Sequence, residues 1–147
     1  MIKGIIDAIS IAIDEKFNTE EVPTYEIYTN NVNQGLSKPC FSIRLVNSNL
    51  NHFRGNRYIR RNQFCVYYFP ESEDEFQEEC MDVQEKLEDA LEYVTADGDL
   101  IRGTDMDGHI SSEDVLVFLV NYDFYVNKVA EVENFMETIS SATDVKG

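Results

Sequence analysis

Residues 39–91 constrain the fold of this chain more than any other stretch. Phe41, Ile43 and Leu45 alternate with Ser42 and Arg44, and further on Phe64, Val66 and Tyr68 alternate with Gln63, Cys65 and Tyr67. A period of two places one apolar face against a core and leaves the other free. Arg54-Gly55-Asn56-Arg57 supplies the turn between the runs, since Gly and Asn tolerate positive φ. The stretch therefore reads as a long hairpin over residues 40–53 and 57–69, stopped by Pro70. An acidic helix follows at once. Ser72 and Glu75 have capping-box spacing, and Glu73 and Asp74 suit the positive end of the helix dipole. Phe76, Cys80, Val83, Leu87, Leu91 and Val94 form its apolar stripe, with acids on the remaining faces.

The flanking segments complete an α+β pattern. Ile2, Ile5, Ile6, Ile9, Ile13 and Phe17 recur at helical spacing and predict a first helix over residues 2–17. Tyr25 and Ile27 mark a short strand, and residues 30–38, rich in Asn, a loop. Asp97-Gly98 ends the acidic-helix region, and a strand over 99–106 is expected to turn at Asp107-Gly108. Leu116, Phe118, Val120, Tyr122, Phe124 and Val126 alternate in the next strand. Val115, Val117 and Leu119 make its first half apolar on both faces, as in a central strand covered on both sides. Residues 128–140 predict a short closing helix, with Val129, Val132, Phe135 and Met136 inward, and residues 141–147 a frayed tail. The expected architecture is a single domain over 1–140. It is a mostly antiparallel sheet of about four to five strands with two main helices packed on one face.

Charge narrows the function. The chain has 147 residues, with 28 acidic against 12 basic, a net charge of −16. That argues against general binding of nucleic acid, which cations drive, and against docking on anionic membranes. No run approaches the roughly 20 apolar residues of a membrane span. Met1 to Phe17 carries Asp7, Asp14 and Glu15 without a basic lead, which does not fit a secretory signal. Cys40, Cys65 and Cys80 are an odd set without a C-x-x-C pair, expected as buried, reduced thiols in a chain made in a reducing cytoplasm.

No catalytic constellation, nucleotide-binding loop or cofactor motif is present. Asp105-Met106-Asp107-Gly108 resembles part of a calcium loop, but Gly103 stands where the first carboxylate belongs and Asp114 where the bidentate Glu belongs. An Asp-Gly hairpin turn accounts for the same residues. His52 and His109 lack metal-ligand spacing and are expected in exposed turns.

Arg54, Arg57, Arg60 and Arg61 are four of the chain's six arginines. On a strand Arg57 and Arg61 share one face and Arg60 the other. One reading is a charged edge that keeps a long hairpin from aggregating. The other is a contact between subunits, with arginine forks meeting carboxylates such as Glu78, Glu79, Asp82 and Glu85 on a neighbour's second helix.

The Ile5-Ile6-Asp7-Ala8-Ile9 helix, the Pro39-Cys40-Phe41-Ser42-Ile43 strand entry and the Arg57-Tyr58-Ile59-Arg60-Arg61 strand resemble small tail terminator (tail completion) proteins. These belong to tailed phages and prophage-like particles of Gram-positive bacteria. The acidic helix after Tyr67-Tyr68-Phe69-Pro70 fits the same pattern. The resemblance implies a structural virion protein, not an enzyme, made in the host bacterial cytoplasm. It implies a ring, typically of six copies, that caps the tail tube and meets neck or connector proteins and, in contractile tails, the sheath. It implies no cofactor, no metal and no specific nucleic acid. Two other readings stay open: another head–tail connector or neck protein, and an acidic inhibitor that mimics DNA.

Overall fold

The computed structural model describes residues 1–19, 24–29 and 36–128. The first helix, α1, spans Ile2–Phe17 and buries Ile5, Ala8, Ile9, Ile13 and Phe17. It ends where Asn18 folds back. The Asn18 N–H donates to the Asp14 carbonyl, and its side-chain oxygen accepts the Tyr25 N–H at 2.8 Å, steering the chain into β1, Glu26–Tyr28. β1 lies parallel to β2, Cys40–Arg54, with Glu26 opposite Cys40 and Tyr28 opposite Ser42. An all-antiparallel sheet is therefore corrected to a mixed one. The connection over 29–39 is no tight turn, so nothing forces these two strands to oppose each other.

β2 and β3, Arg57–Phe69, form the expected hairpin, with Gly55 at φ 60° in its turn. The apolar alternation of β2 does not persist. Cys40 to Ile43 are all buried, whereas Leu45, expected inward, is 40% exposed and no later residue of β2 is buried. Length explains this. The 16 residues of α1 cover about 24 Å, while the 15 of β2 extend about 50 Å. The strand outruns its cover.

The second helix, α2, spans Phe76–Ala90. Half of the predicted capping box forms, the Glu75 N–H donating to Ser72 Oγ at 2.9 Å. Glu79 secures the rest of the entry: its carboxylate accepts the Glu71 N–H, the Ser72 N–H and the Tyr68 hydroxyl. The helix stops at Ala90, so Leu91 and Val94 do not belong to its stripe. Val94 lies on an unforeseen strand, β4, Tyr93–Ala96, with Val94 and Ala96 buried. Asp97 at φ 52° and Gly98 at φ 87° turn β4 into β5, Asp99–Ile110. Two positive φ values in a two-residue loop are the I′ hairpin turn that Asp-Gly favours.

The turn expected at Asp107-Gly108 is not there. Both residues lie inside β5, past a bulge between Thr104 and Asp107 with Asp105 at φ 51°. A Cβ on Gly108 would come within 2.6 Å of the Gln84 side chain, so this glycine serves close packing under α2. The chain reverses at 111–115, where the Ser111 N–H donates to the Val115 carbonyl at 2.9 Å, and enters β6, Leu116–Asn127.

The sheet has six strands in the order β1-β2-β3-β6-β5-β4. Bonds from Lys128 to Asn56 and from Asn62 to Tyr122 show β3 and β6 running in opposite directions. Both helices serve one face. Phe17 of α1 packs 4.8 Å from Phe41, and Glu79 of α2 meets Tyr68, whose ring is 4.9 Å from Phe41. The first half of β6 is accordingly not covered equally on both sides: Leu116, Phe118 and Val120 are buried, but Val115, Val117 and Leu119 only half so. The predicted closing helix and tail, beyond Lys128, lie outside the described residues.

By density of contacts the chain divides into two units, residues 1–48 with 61–123, and residues 49–60 with 124–147. The first holds every buried residue among those described. In it the Tyr122 hydroxyl donates to the Leu91 carbonyl at 2.6 Å, fixing the end of α2 to the sheet. Tyr122→Phe strands that buried carbonyl and is expected to lower unfolding free energy by about 1–2 kcal/mol in urea titrations, with Tyr122→Ala costing about 3–5 kcal/mol.

Candidate functional site

The second unit consists, in its described part, of the turn-side halves of β2 and β3 and the end of β6. None of these residues is buried. Strand alternation sorts its side chains onto two faces. On one, Phe53 and Tyr125 meet at 5.3 Å, and the Arg57 guanidinium lies 4.4 Å from the Tyr125 ring and 5.9 Å from Phe53. On the other, His52 packs 5.2 Å from Tyr58, whose ring also carries the Lys128 ammonium at 4.8 Å. Arg54 sits 6.0 Å from Phe53. These are cation–π contacts, which hold a long side chain in place while leaving its donors outward.

The charges here are of one sign. Residues 49–60 and 124–128 contain Arg54, Arg57, Arg60 and Lys128 and no acid, in a chain of net charge −16. Arg54 and Arg57, with Arg61 in the first unit, form no ion pair among the described residues. Phe53 and Tyr125 are 50% and 51% exposed. Aromatic rings and arginine in one exposed patch are the composition of binding hot spots.

Sequence reasoning found the arginines and missed the rings. Phe53 closes a strand assigned to the core by alternation, and Tyr125 is 68 positions from Arg57 in sequence. Only the pairing of β3 with β6 brings Tyr125 beside the hairpin.

The acidic counterpart is α2. At about 100° per residue, Glu78, Asp82, Glu85 and Asp89 fall on one line, opposite the buried Cys80, Val83 and Leu87. Lys86 pairs with Asp82 at 3.3 Å and Lys16 with Asp89 at 2.7 Å. Glu78 and Glu85 are exposed and form no ion pair among the described residues. Glu79 stands apart, since all its hydrogen bonds point inward to the helix entry.

Other residues singled out in the sequence lie elsewhere. Asp105 and Asp107 sit on a strand, Asp105 accepting from the Asn121 amide at 3.1 Å. Among the described residues no three His, Cys, Asp or Glu side chains converge as a metal requires. His52 and His109 lie near the ends of β2 and β5, on strands and not in turns. All three cysteines are free and buried, and burial pushes each thiol above its ordinary pKa, away from the nucleophilic thiolate. On the sheet face away from the helices, Ser42, Arg44, Tyr67, Phe69 and Val117 line a cleft of about 280 Å³. That is below the usual size of a small-molecule site, about 300–1,000 Å³. No helix among the described residues is long and apolar enough to cross a membrane.

Comparison with known proteins adds a family. A sequence profile described as phage tail terminator protein matches residues 4–134. No curated protein matches the chain in sequence. Of the solved structures that match, one superposes with a TM-score of 0.47 at 11% identity, over 88% of this chain and 97% of the other. That likeness carries no functional argument.

Because the exposed cluster takes no part in a core, Phe53→Ser, Tyr125→Ala and Arg57→Glu are each expected to change thermal unfolding by less than about 1 kcal/mol.

Proposed function

This chain belongs to the phage tail terminator protein family and is a structural tail protein, and we propose that it works as one subunit of a ring. The ring, of six copies as the family resemblance implies, caps the finished tail tube, ends its growth and offers its other side to neck proteins. In a contractile tail it also meets the last sheath ring.

One observation carries this reading. A unit with no buried side chain and no acid among its described residues exposes aromatic rings and fixed arginines, while α2 of the same chain exposes a line of carboxylates. Two unlike, complementary patches make heterologous contacts, which close into rings when the rotation permits. A self-complementary dimer needs only one patch. Energy and direction divide between the residue types. Covering the exposed half of Phe53 and of Tyr125 contributes about 2–3 kcal/mol per ring. Each exposed arginine–carboxylate pair adds about 0.2–1 kcal/mol, so arginines orient the contact more than they hold it.

The test is charge reversal with size as the readout. Arg57→Glu with Arg61→Glu is expected to leave a folded monomer, by circular dichroism, that sediments as a single subunit and fails to cap tail tubes in electron micrographs. Glu78→Lys with Asp82→Lys, on the facing surface, should impair assembly likewise. Combining the two pairs should restore it in part. Unchanged sedimentation of the arginine double mutant under assembling conditions would falsify the reading.

A further inference from the structure

We propose that the cleft on the sheet face away from the helices receives the Phe53 ring of a second copy. This rests on the ring reading and names where the aromatic half of the exposed patch goes.

The cleft is left by a small residue among large ones. Ser42 of β2 is 5% exposed, and Tyr67, Phe69, Val115 and Val117 around it are each half-buried. Both described helices pack on the other face, so neither covers it. Its volume of about 280 Å³ is small for a metabolite, yet a cavity of roughly 150 Å³ already holds benzene. One aromatic side chain is the guest of that size.

Among the described residues the exposed Phe and Tyr rings are Phe53, Tyr93 and Tyr125. Tyr125 already lies 4.4 Å from the Arg57 guanidinium, and Tyr93 follows Glu92. Phe53 is half exposed and accompanied only by cations, Arg57 at 5.9 Å and Arg54 at 6.0 Å.

Charge decides which surface suits such a ring. Glu113, on the turn between β5 and β6, borders the cleft, is exposed and forms no ion pair among the described residues. It also borders the groove beside Ser72 and Phe76, so the cleft adjoins the start of the acidic helix. A seated Phe53 brings Arg57 toward these carboxylates. The cleft's own cation, Arg44, stands on the β2 side, 5.6 Å from the Tyr67 ring. There it meets the incoming ring as a second cation–π partner and stays away from Arg57. Ring and cleft are unlike patches on each copy, as a head-to-tail contact requires.

The experiment is a double-mutant cycle with a cross-link. Phe53→Ser, and Val117→Phe to fill the cleft, should each weaken assembly about thirtyfold by sedimentation, with both variants folded by circular dichroism. Because both remove one contact, the pair together should lie within about threefold of either alone. A chain carrying Phe53→Cys, mixed with one carrying Val117→Cys and oxidised under assembling conditions, should give a covalent dimer that neither gives alone. Normal assembly of Val117→Phe, fully additive losses, or a Phe53→Cys chain that links to tube protein and not to the cleft overturns the docking and leaves the ring intact. A chain that stays monomeric even with tail tubes present overturns both.

Discussion

Tyr68 occupies the point where the elements of the core are tied together. Its ring lies 4.9 Å from Phe41 and 6.2 Å from Tyr25, and Phe41 in turn lies 4.8 Å from Phe17, so hairpin, β1 approach and first helix share one aromatic cluster. Its hydroxyl donates to Glu79, which also accepts the Glu71 and Ser72 amides. Burial first, and Glu79 second, push the Tyr68 pKa upward, so the phenol stays a neutral donor to that carboxylate. The acidic helix is thus fixed by one of its own acids. Eleven acids lie from Glu71 to Glu92; Glu79 is anchored inward, while Glu78, Asp82, Glu85 and Asp89 share one outward line of α2.

The second unit is built on the opposite principle. It has ladder bonds, as from Lys128 to Asn56, and ring and cation contacts, but no buried side chain among those described. Short hairpins without a covered face are marginal in water, and aromatic and cation–π pairs add about 0.5–1.5 kcal/mol each. In the proposed ring, a neighbouring subunit would cover Phe53, Tyr125 and Arg57.

Much of this was legible in the sequence wherever one periodicity ran uninterrupted against one environment. The stripe of α1, that of α2 as far as Leu87, the hairpin, the buried thiols and the likeness to tail terminators all stand. Legibility failed where two environments produce the same pattern. Leu87, Leu91 and Val94 keep helical spacing across a helix that ends at Ala90, because β4 happens to bury Val94 against the same core. Asp97-Gly98 and Asp107-Gly108 are identical dipeptides. The first turns a hairpin, and the second lies within β5 with the Gln84 side chain close over Gly108, a tertiary setting that no local signal announces. Leu45 continues the alternation of Phe41 and Ile43 yet lies beyond the reach of the helices. In the candidate site, the basic half was visible as composition, whereas its aromatic half depends on β6 returning beside β3.

Net charge and local charge then act at different ranges. Repulsion between whole subunits of charge −16 is carried by charges many ångströms apart, and at physiological salt it fades over about 8 Å. A guanidinium fork against a carboxylate acts within about 4 Å and is screened far less once the rings beside it exclude water. In the proposed ring, assembly is therefore decided by where a few cations stand, not by the total. For that proposed ring the unbalanced total has its own consequence: surfaces outside the chosen contacts repel, which would keep a closed ring from collecting further copies.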